Sequence, residues 1–163
     1  MTELYLLRHA HAGDPMKWRG DDDERPLTEK GQRQSERLGR LLSQVGFRPD
    51  VIVASPRARA RQTAEIVGRL LRTDITVDAR LAGELGLGQL EGLLAELDAD
   101  RPLLVGHDPD FSALVATLCA SGAVPMRKGA LARIDVTRPL RPGGGLLRWL
   151  VPPDFLRVDD AVG

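Results

Sequence analysis

Cys119 is the single cysteine among 163 residues, so an internal disulfide and a Cys-based zinc cluster are both excluded. Net charge is lacking as well. The 23 Lys and Arg residues balance 23 Asp and Glu, which removes any general electrostatic pull toward nucleic acid or a membrane surface. No apolar run approaches the roughly 18 residues that a membrane-crossing helix needs. At the start of the chain, Met1 to Leu7 is too short for a secretory h-region before Arg8 interrupts it. A cytoplasmic protein with no nucleic-acid or membrane partner is expected. Lysine is scarce, three residues against 20 arginines. That ratio suits bidentate recognition of phosphate, although base composition also produces it. Internal repeats are missing, and the length fits one domain over 1–163 whose core needs no metal or disulfide.

Short apolar runs punctuate the chain. Glu3–Leu7, Asp50–Ala54 and Pro102–Val105 read as buried strands. Between the first two, Leu27–Val45 has helical period, with Thr28 as cap and Gly46 as terminator. Pro56–Leu71 is a second helix, for which Ser55 is the expected N-cap and Pro56 the first helical residue. A weak strand at Ile75–Val77, a glycine-containing stretch over Leu81–Gly92 and a short helix to Leu97 come next. A helix from Asp108 and Pro109 through Ala120 and a late strand pair, Ala130–Val136 and Leu146–Val151, complete the reading. The expected fold is α/β: a three-layer αβα sandwich with a mostly parallel central sheet and a late antiparallel strand. The acidic run Asp21–Glu24 reads as a solvated loop.

Open α/β sheets bind ligands beyond the C-terminal ends of their strands. Three strands here end in LRHAHAG, ASPRARARQTA and GHDPD. Folding would gather Arg8, His9, one or more of Arg57, Arg59 and Arg61, and His107 around one crevice. Imidazoles and guanidiniums with no assigned carboxylate want an anion, and phosphate matches guanidinium forks. Neutral histidine is also a competent nucleophile toward phosphorus near pH 7. His11 makes HAH a possible metal pair, yet only His107 remains to complete such a site. No metal is expected, and His11 is read as a pocket-edge or plain loop residue.

Taken together, RHA at Arg8–Ala10, SPxxRxxQTA over Ser55–Ala64 and GH at Gly106–His107 resemble the histidine phosphatase superfamily, which includes the phosphoglycerate mutases. The segments ERPLTEKG from Glu24, LLVGHDPDFSALV from Leu103 and KGALARIDV from Lys128 resemble its SixA type of phosphohistidine phosphatase. The resemblance implies that His9 accepts the phosphoryl group and that Arg8 grips its oxygens. Arg59 is preferred to Arg57 or Arg61 as the second clamp, and His107 donates to the phosphoryl oxygens. It also implies a hydrolase without metal or other cofactor.

Monoester hydrolysis expels an alkoxide and calls for a general acid, whereas phosphohistidine releases an imidazole that leaves neutral once protonated. The candidate acid is Glu84, in ELGLGQLEG. Three functions follow. The first is dephosphorylation of phosphohistidine on a protein, such as a phosphotransfer domain of a signalling relay or a phosphocarrier, through phospho-His9. The second is a small-molecule phosphomonoesterase with Glu84 as acid. The third is a non-catalytic phosphotransfer or phosphate-sensing domain. A receiver domain would need acidic residues where Arg8 and His9 stand.

Overall fold

A computed structural model describes residues 1–157. In chain order the elements are β1 (Thr2–Arg8), α1 (Glu29–Gln44), β2 (Val51–Ala54), α2 (Ala58–Leu71) and β3 (Ile75–Val77). There follow α3 (Leu87–Leu97), β4 (Pro102–Gly106), α4 (Asp110–Leu118), β5 (Leu131–Val136) and β6 (Gly145–Val151). The six strands form one sheet in the order β3-β2-β4-β1-β5-β6. Neighbours from β3 to β1 are parallel, while β5 runs antiparallel to both β1 and β6. This is the expected α/β sandwich, with β5 the reversed strand.

The layers follow from the two-residue period of a strand. Leu4 and Leu6 of β1 point into one core with Leu90, Leu93 and Leu94 of α3 and Phe111, Leu114 and Val115 of α4. Tyr5 and Leu7 point the other way, onto Leu38 and Leu42 of α1 and Ala60, Ala64 and Val67 of α2. Both faces are covered, which is why β1 and β4 read as unbroken apolar runs. Because β1 leads to a helix on one face and β4 to a helix on the other, a crevice opens where these neighbouring strands end. Register brings the ends level, with Arg8 opposite Gly106 and Ala54 opposite Val105.

Two local expectations need correction. Thr28 caps α1 as read, its Oγ1 accepting from Gly31 N–H at 3.2 Å. Ser55 does not cap α2: the helix starts at Ala58, Arg57 occupies the N-cap, and Pro56 lies before the helix. Ser55 Oγ accepts from Arg57 N–H at 3.2 Å, ahead of the helix, so the first turn itself has no side-chain cap. The acidic run Asp21–Glu24 is exposed, as read, but it is more than a loop: Asp22–Glu24 forms a 3-10 turn in which Asp22 and Asp23 pair with arginines. Cys119 ends α4, partly buried, and burial raises its thiol pKa.

Candidate active site

Each strand end delivers one piece. His9 follows β1, its N–H donating to Gly106 O at 3.0 Å, and Ser55 follows β2, its N–H donating to Val105 O at 2.9 Å. His107 follows β4. The rings of His9 and His107 face each other with centroids 5.3 Å apart, close enough for both to touch one tetrahedral anion. Each residue is only 5% exposed.

The hydrogen bonds determine which ring nitrogen is free. His9 Nδ1 lies 2.8 Å from Ala10 O. A carbonyl only accepts, so Nδ1 carries the hydrogen and Nε2 keeps the lone pair when the ring is neutral. Burial, with the charges of His107, Arg59 and Arg8 behind it, lowers the His9 pKa to about 3. Near pH 7 the lone pair is therefore fully available. His107 Nε2 sits 2.7 Å from Ser55 Oγ, which also accepts from Arg57 N–H at 3.2 Å. With Ser55 donating its proton to Nε2, His107 Nδ1 becomes the donor. Burial first, then Arg59, Arg57 and Arg8, brings its pKa to about 3 as well.

Arginines enclose the rings. Arg8 Nη1 donates to Met126 O at 2.7 Å and lies 3.6 Å from Asp108 Oδ2. Arg59, its side chain 5% exposed, donates from Nη1 to Asp22 O at 2.7 Å and from Nη2 to Asp22 Oδ2 at 3.0 Å. Arg25 Nε donates to the other Asp22 oxygen at 2.9 Å. Asp22 therefore braces Arg59 from the mouth, where its side chain is 51% exposed, without filling the space between the histidines. Arg57 Nε pairs with Asp23 Oδ1 at 3.0 Å, and Arg61 lies on the surface beside Glu65. The chain reversal at Arg127–Ala130 closes one wall, since Gly129 N–H donates to both Arg8 O and His9 O.

Among the described residues, three buried side-chain nitrogens of the site have neither a hydrogen-bond partner nor an ion-pair contact: Arg8 Nε, Arg59 Nε and His107 Nδ1. All three face the same anion cradle. Buried donors are rarely left unmade, and leaving one so costs about 1 to 3 kcal/mol. An oxyanion of several acceptor oxygens answers them. Among the described residues, no group of three or more His, Cys, Asp or Glu is arranged to hold a metal ion.

His11 stands at the edge. Its Nδ1 is 2.7 Å from Thr28 Oγ1 and its N–H donates to Gln34 Oε1 at 3.0 Å, so it ties the loop after His9 to α1. Glu84 is exposed, at φ 58°, on the loop beside Arg57. Sequence reasoning missed the partners: Ser55, Asp22, Asp108 and Thr63, whose Oγ1 accepts from Ala10 N–H at 3.1 Å. The one available signal was Thr63, inside the SPxxRxxQTA pattern and one helical turn after Arg59.

Known proteins resemble this chain in sequence and in fold. The family model described as "Histidine phosphatase superfamily (branch 1)" matches residues 4–114. Phosphohistidine phosphatase SixA of Escherichia coli (strain K12) is 28% identical over 167 residues, spanning 98% of this chain and 99% of that protein. "Probable phosphoglycerate mutase GpmB" of Citrobacter koseri is 39% identical over 93 residues, 56% of this chain but only 41% of that protein. A solved structure of the protein histidine phosphatase SixA complexed with tungstate superposes with a TM-score of 0.83 at 26% identity, covering 96% of this chain and 100% of that one.

Proposed function

Since this chain belongs to the histidine phosphatase superfamily, we propose that it hydrolyses phosphohistidine on a protein through a covalent phospho-His9. In the first step the Nε2 lone pair of His9 attacks phosphorus and the N–P bond of the substrate breaks, its electron pair staying on the departing nitrogen; the imidazole leaves neutral because its other ring nitrogen already carries a proton taken from solvent. Water then attacks phospho-His9, releasing inorganic phosphate and restoring the neutral ring. Arg8 and Arg59 bind the non-bridging oxygens, and His107 Nδ1–H donates to the oxygen whose charge grows. No metal or organic cofactor takes part. The observation that carries this reading is the convergence of one unprotonated, buried imidazole nitrogen with three partnerless donors, Arg8 Nε, Arg59 Nε and His107 Nδ1. Tungstate, a phosphate analogue in shape and charge, occupies the similar SixA structure and supports an oxyanion guest.

Phosphohistidine is favoured over a monoester because the candidate acid Glu84 is exposed and the carboxylates beside the cradle, Asp22 and Asp108, are turned to Arg59, Arg25 and Arg8. The second reading, a small-molecule phosphomonoesterase, has Glu84 as its acid, and the support for it is the position of the Gly83–Glu84 loop against Arg57. Rates on a phosphohistidine protein and on a panel of sugar and acyl phosphates, measured side by side with wild type, His9→Ala and Glu84→Gln, discriminate the two. Wild type should favour phosphohistidine, His9→Ala should lose both turnover and phosphoenzyme, and Glu84→Gln should hardly affect phosphohistidine. Normal turnover in His9→Ala would exclude the nucleophile. A phosphoenzyme that forms and then persists would point instead to a phosphotransfer domain without net hydrolysis.

A further inference from the structure

The outer face of α1 carries Lys30, Arg33, Arg37 and Arg40, and alongside it runs the 3-10 turn Pro153–Leu156 with Phe155 80% exposed. Between them lies a groove of about 660 Å³ in which arginines outnumber a single acid, Glu36, beside Leu41, Phe155 and Leu156. It adjoins a smaller polar hollow of about 330 Å³ where Lys30, Arg33 and Arg37 outnumber Asp154 beside Gln34 and Pro153. The arginines here are weakly committed. Arg33 meets Glu29 and Arg40 meets Glu36 only at 3.8 Å on an exposed helix face, where such pairs are worth little. Lys30 and Arg37 form no ion pair among the described residues. In a chain whose net charge is zero, this is a local excess of positive charge beside apolar surface.

That surface packs against the loop that follows the nucleophile. Gln34, in the polar hollow, accepts from the backbone N–H of His11 at 3.0 Å. A Cβ at Gly129 would lie 3.3 Å from Pro153 and 3.7 Å from Gln34 Oε1, and Gly129 N–H is the group bonded to Arg8 O and His9 O. The hollow thus backs onto the main chain of the nucleophile. Lys128, beside Gly129, extends the positive strip to the mouth, where its charge and that of Lys30 bear on His11.

We infer that this groove docks the phosphorylated protein itself through an acidic amphipathic helix, its carboxylates on Lys30, Arg33 and Arg37 and its apolar side chains against Leu41 and Phe155. The inference rests on the phosphohistidine reading above. A helix laid in a groove presents both kinds of contact along one stripe, and rim charges of this kind steer encounter and set specificity. A second copy of this chain fits poorly, because a two-fold contact on this face sets arginines against arginines.

The test uses two synthetic helical peptides that carry one N-phosphohistidine, identical except that one has flanking glutamates and the other glutamines, together with free N-phosphohistidine. Wild type should process the acidic peptide with a kcat/KM about tenfold above the neutral one at low salt, and the preference should shrink as NaCl is added. The double variant Arg33→Glu/Arg37→Glu should abolish the preference and leave the rate on free phosphohistidine unchanged, with Arg37→Gln in between. Equal kcat/KM on the two peptides, or a preference that survives in the double variant, overturns the docking site while the catalytic reading stands. A dimer dispersed by the double variant, or binding to anionic vesicles without any peptide preference, overturns it as well. If no phosphohistidine substrate is turned over while a monoester is, the catalytic reading falls and the docking inference falls with it.

Discussion

Acidification between pH 7 and pH 5 should destabilise this protein through two residues. In the folded state His9 and His107 each titrate at about 3, held neutral first by burial and then by the arginines around them. In the unfolded chain an imidazole titrates near 6.5. Between those values the unfolded chain binds protons that the folded protein refuses, so stability falls as pH falls. Nothing is lost above about pH 7; the loss begins as pH drops through 6.5 and continues to about 3. Each histidine costs about 1.4 kcal/mol per pH unit within that window, so at pH 5 the pair removes about 4 kcal/mol at most. Against a total of about 5 to 15 kcal/mol for an ordinary domain, such a loss is large. Carboxylates enter only at the lower end of that window. Glu3, Asp22, Asp78, Glu91, Glu96 and Asp135 have lowered folded pKa values, so their contribution is lost as pH falls below about 5, outside the pH 7 to 5 range. His11 is also shifted down and adds in the same direction, which a His11→Asn background removes. Urea unfolding in that background at pH 7, 6 and 5, with His9→Asn and His107→Asn alongside, gives the measurement, and each substitution should roughly halve the slope. Added tungstate should flatten it, since an anion between the rings favours imidazolium. Stability that is constant from pH 7 to pH 5, or imidazole signals titrating near 6.5 by NMR, would refute the reasoning.

Other perturbations separate the clamp from its surroundings. Arg59→Ala should weaken inhibition by vanadate or tungstate about 10- to 100-fold, the value of a buried charge-assisted hydrogen bond of about 1.5 to 3 kcal/mol, whereas Arg57→Ala, half-exposed and paired with Asp23, should cost under about fivefold. Equal losses would mean that the roles of the two arginines are misassigned. Gly31→Ala should destabilise the protein by about 1 to 3 kcal/mol in thermal or urea unfolding and disturb the loop after His9. Its Cβ would sit 2.0 Å from His11 O, and overpacking outweighs the gain of up to about 1 kcal/mol in helix propensity. Gly88→Ala, with nothing within 4 Å of its Cβ, should instead be neutral or slightly stabilising, and a loss there as large as at Gly31 would contradict the steric account.

The sheet and its strand-end chemistry were legible because both are local in sequence. Leu4–Leu7 and Leu103–Val105 are apolar without a break since helices cover both faces, and a strand of that kind announces itself by composition. Thr28 was legible for the same reason: a cap acts three residues from its own position. Ser55 was misread because that local rule lost to a partner far along the chain. Its hydroxyl holds His107, 52 residues away, and the chain makes a further bend before the helix begins at Ala58; periodicity reports neither. The acidic run was misread only in its partners: it is exposed, as expected, yet Arg57 and Arg59, at the start of α2 and 34 residues or more downstream, pair with Asp23 and Asp22.

That second misreading bears on how the site works. A cluster of arginines and neutral imidazoles with no carboxylate nearby would repel itself and splay into solvent, and one with a carboxylate at its centre would be closed to phosphate. Here the acids meet the guanidiniums from outside: Asp22 takes the terminal nitrogens of Arg59, and Asp108, its oxygens already accepting from Ser112 N–H and Oγ–H, stays 3.6 Å from Arg8. The Nε groups of both arginines remain without partners. The carboxylates thereby hold the clamp in shape while leaving net positive potential inside, and the desolvation that stabilises neutral His9 is not relieved by a neighbouring anion until the substrate supplies one. Electrostatic preorganisation and the readiness of the nucleophile are thus produced by the same arrangement, in which negative charge is placed at the rim and kept out of the centre.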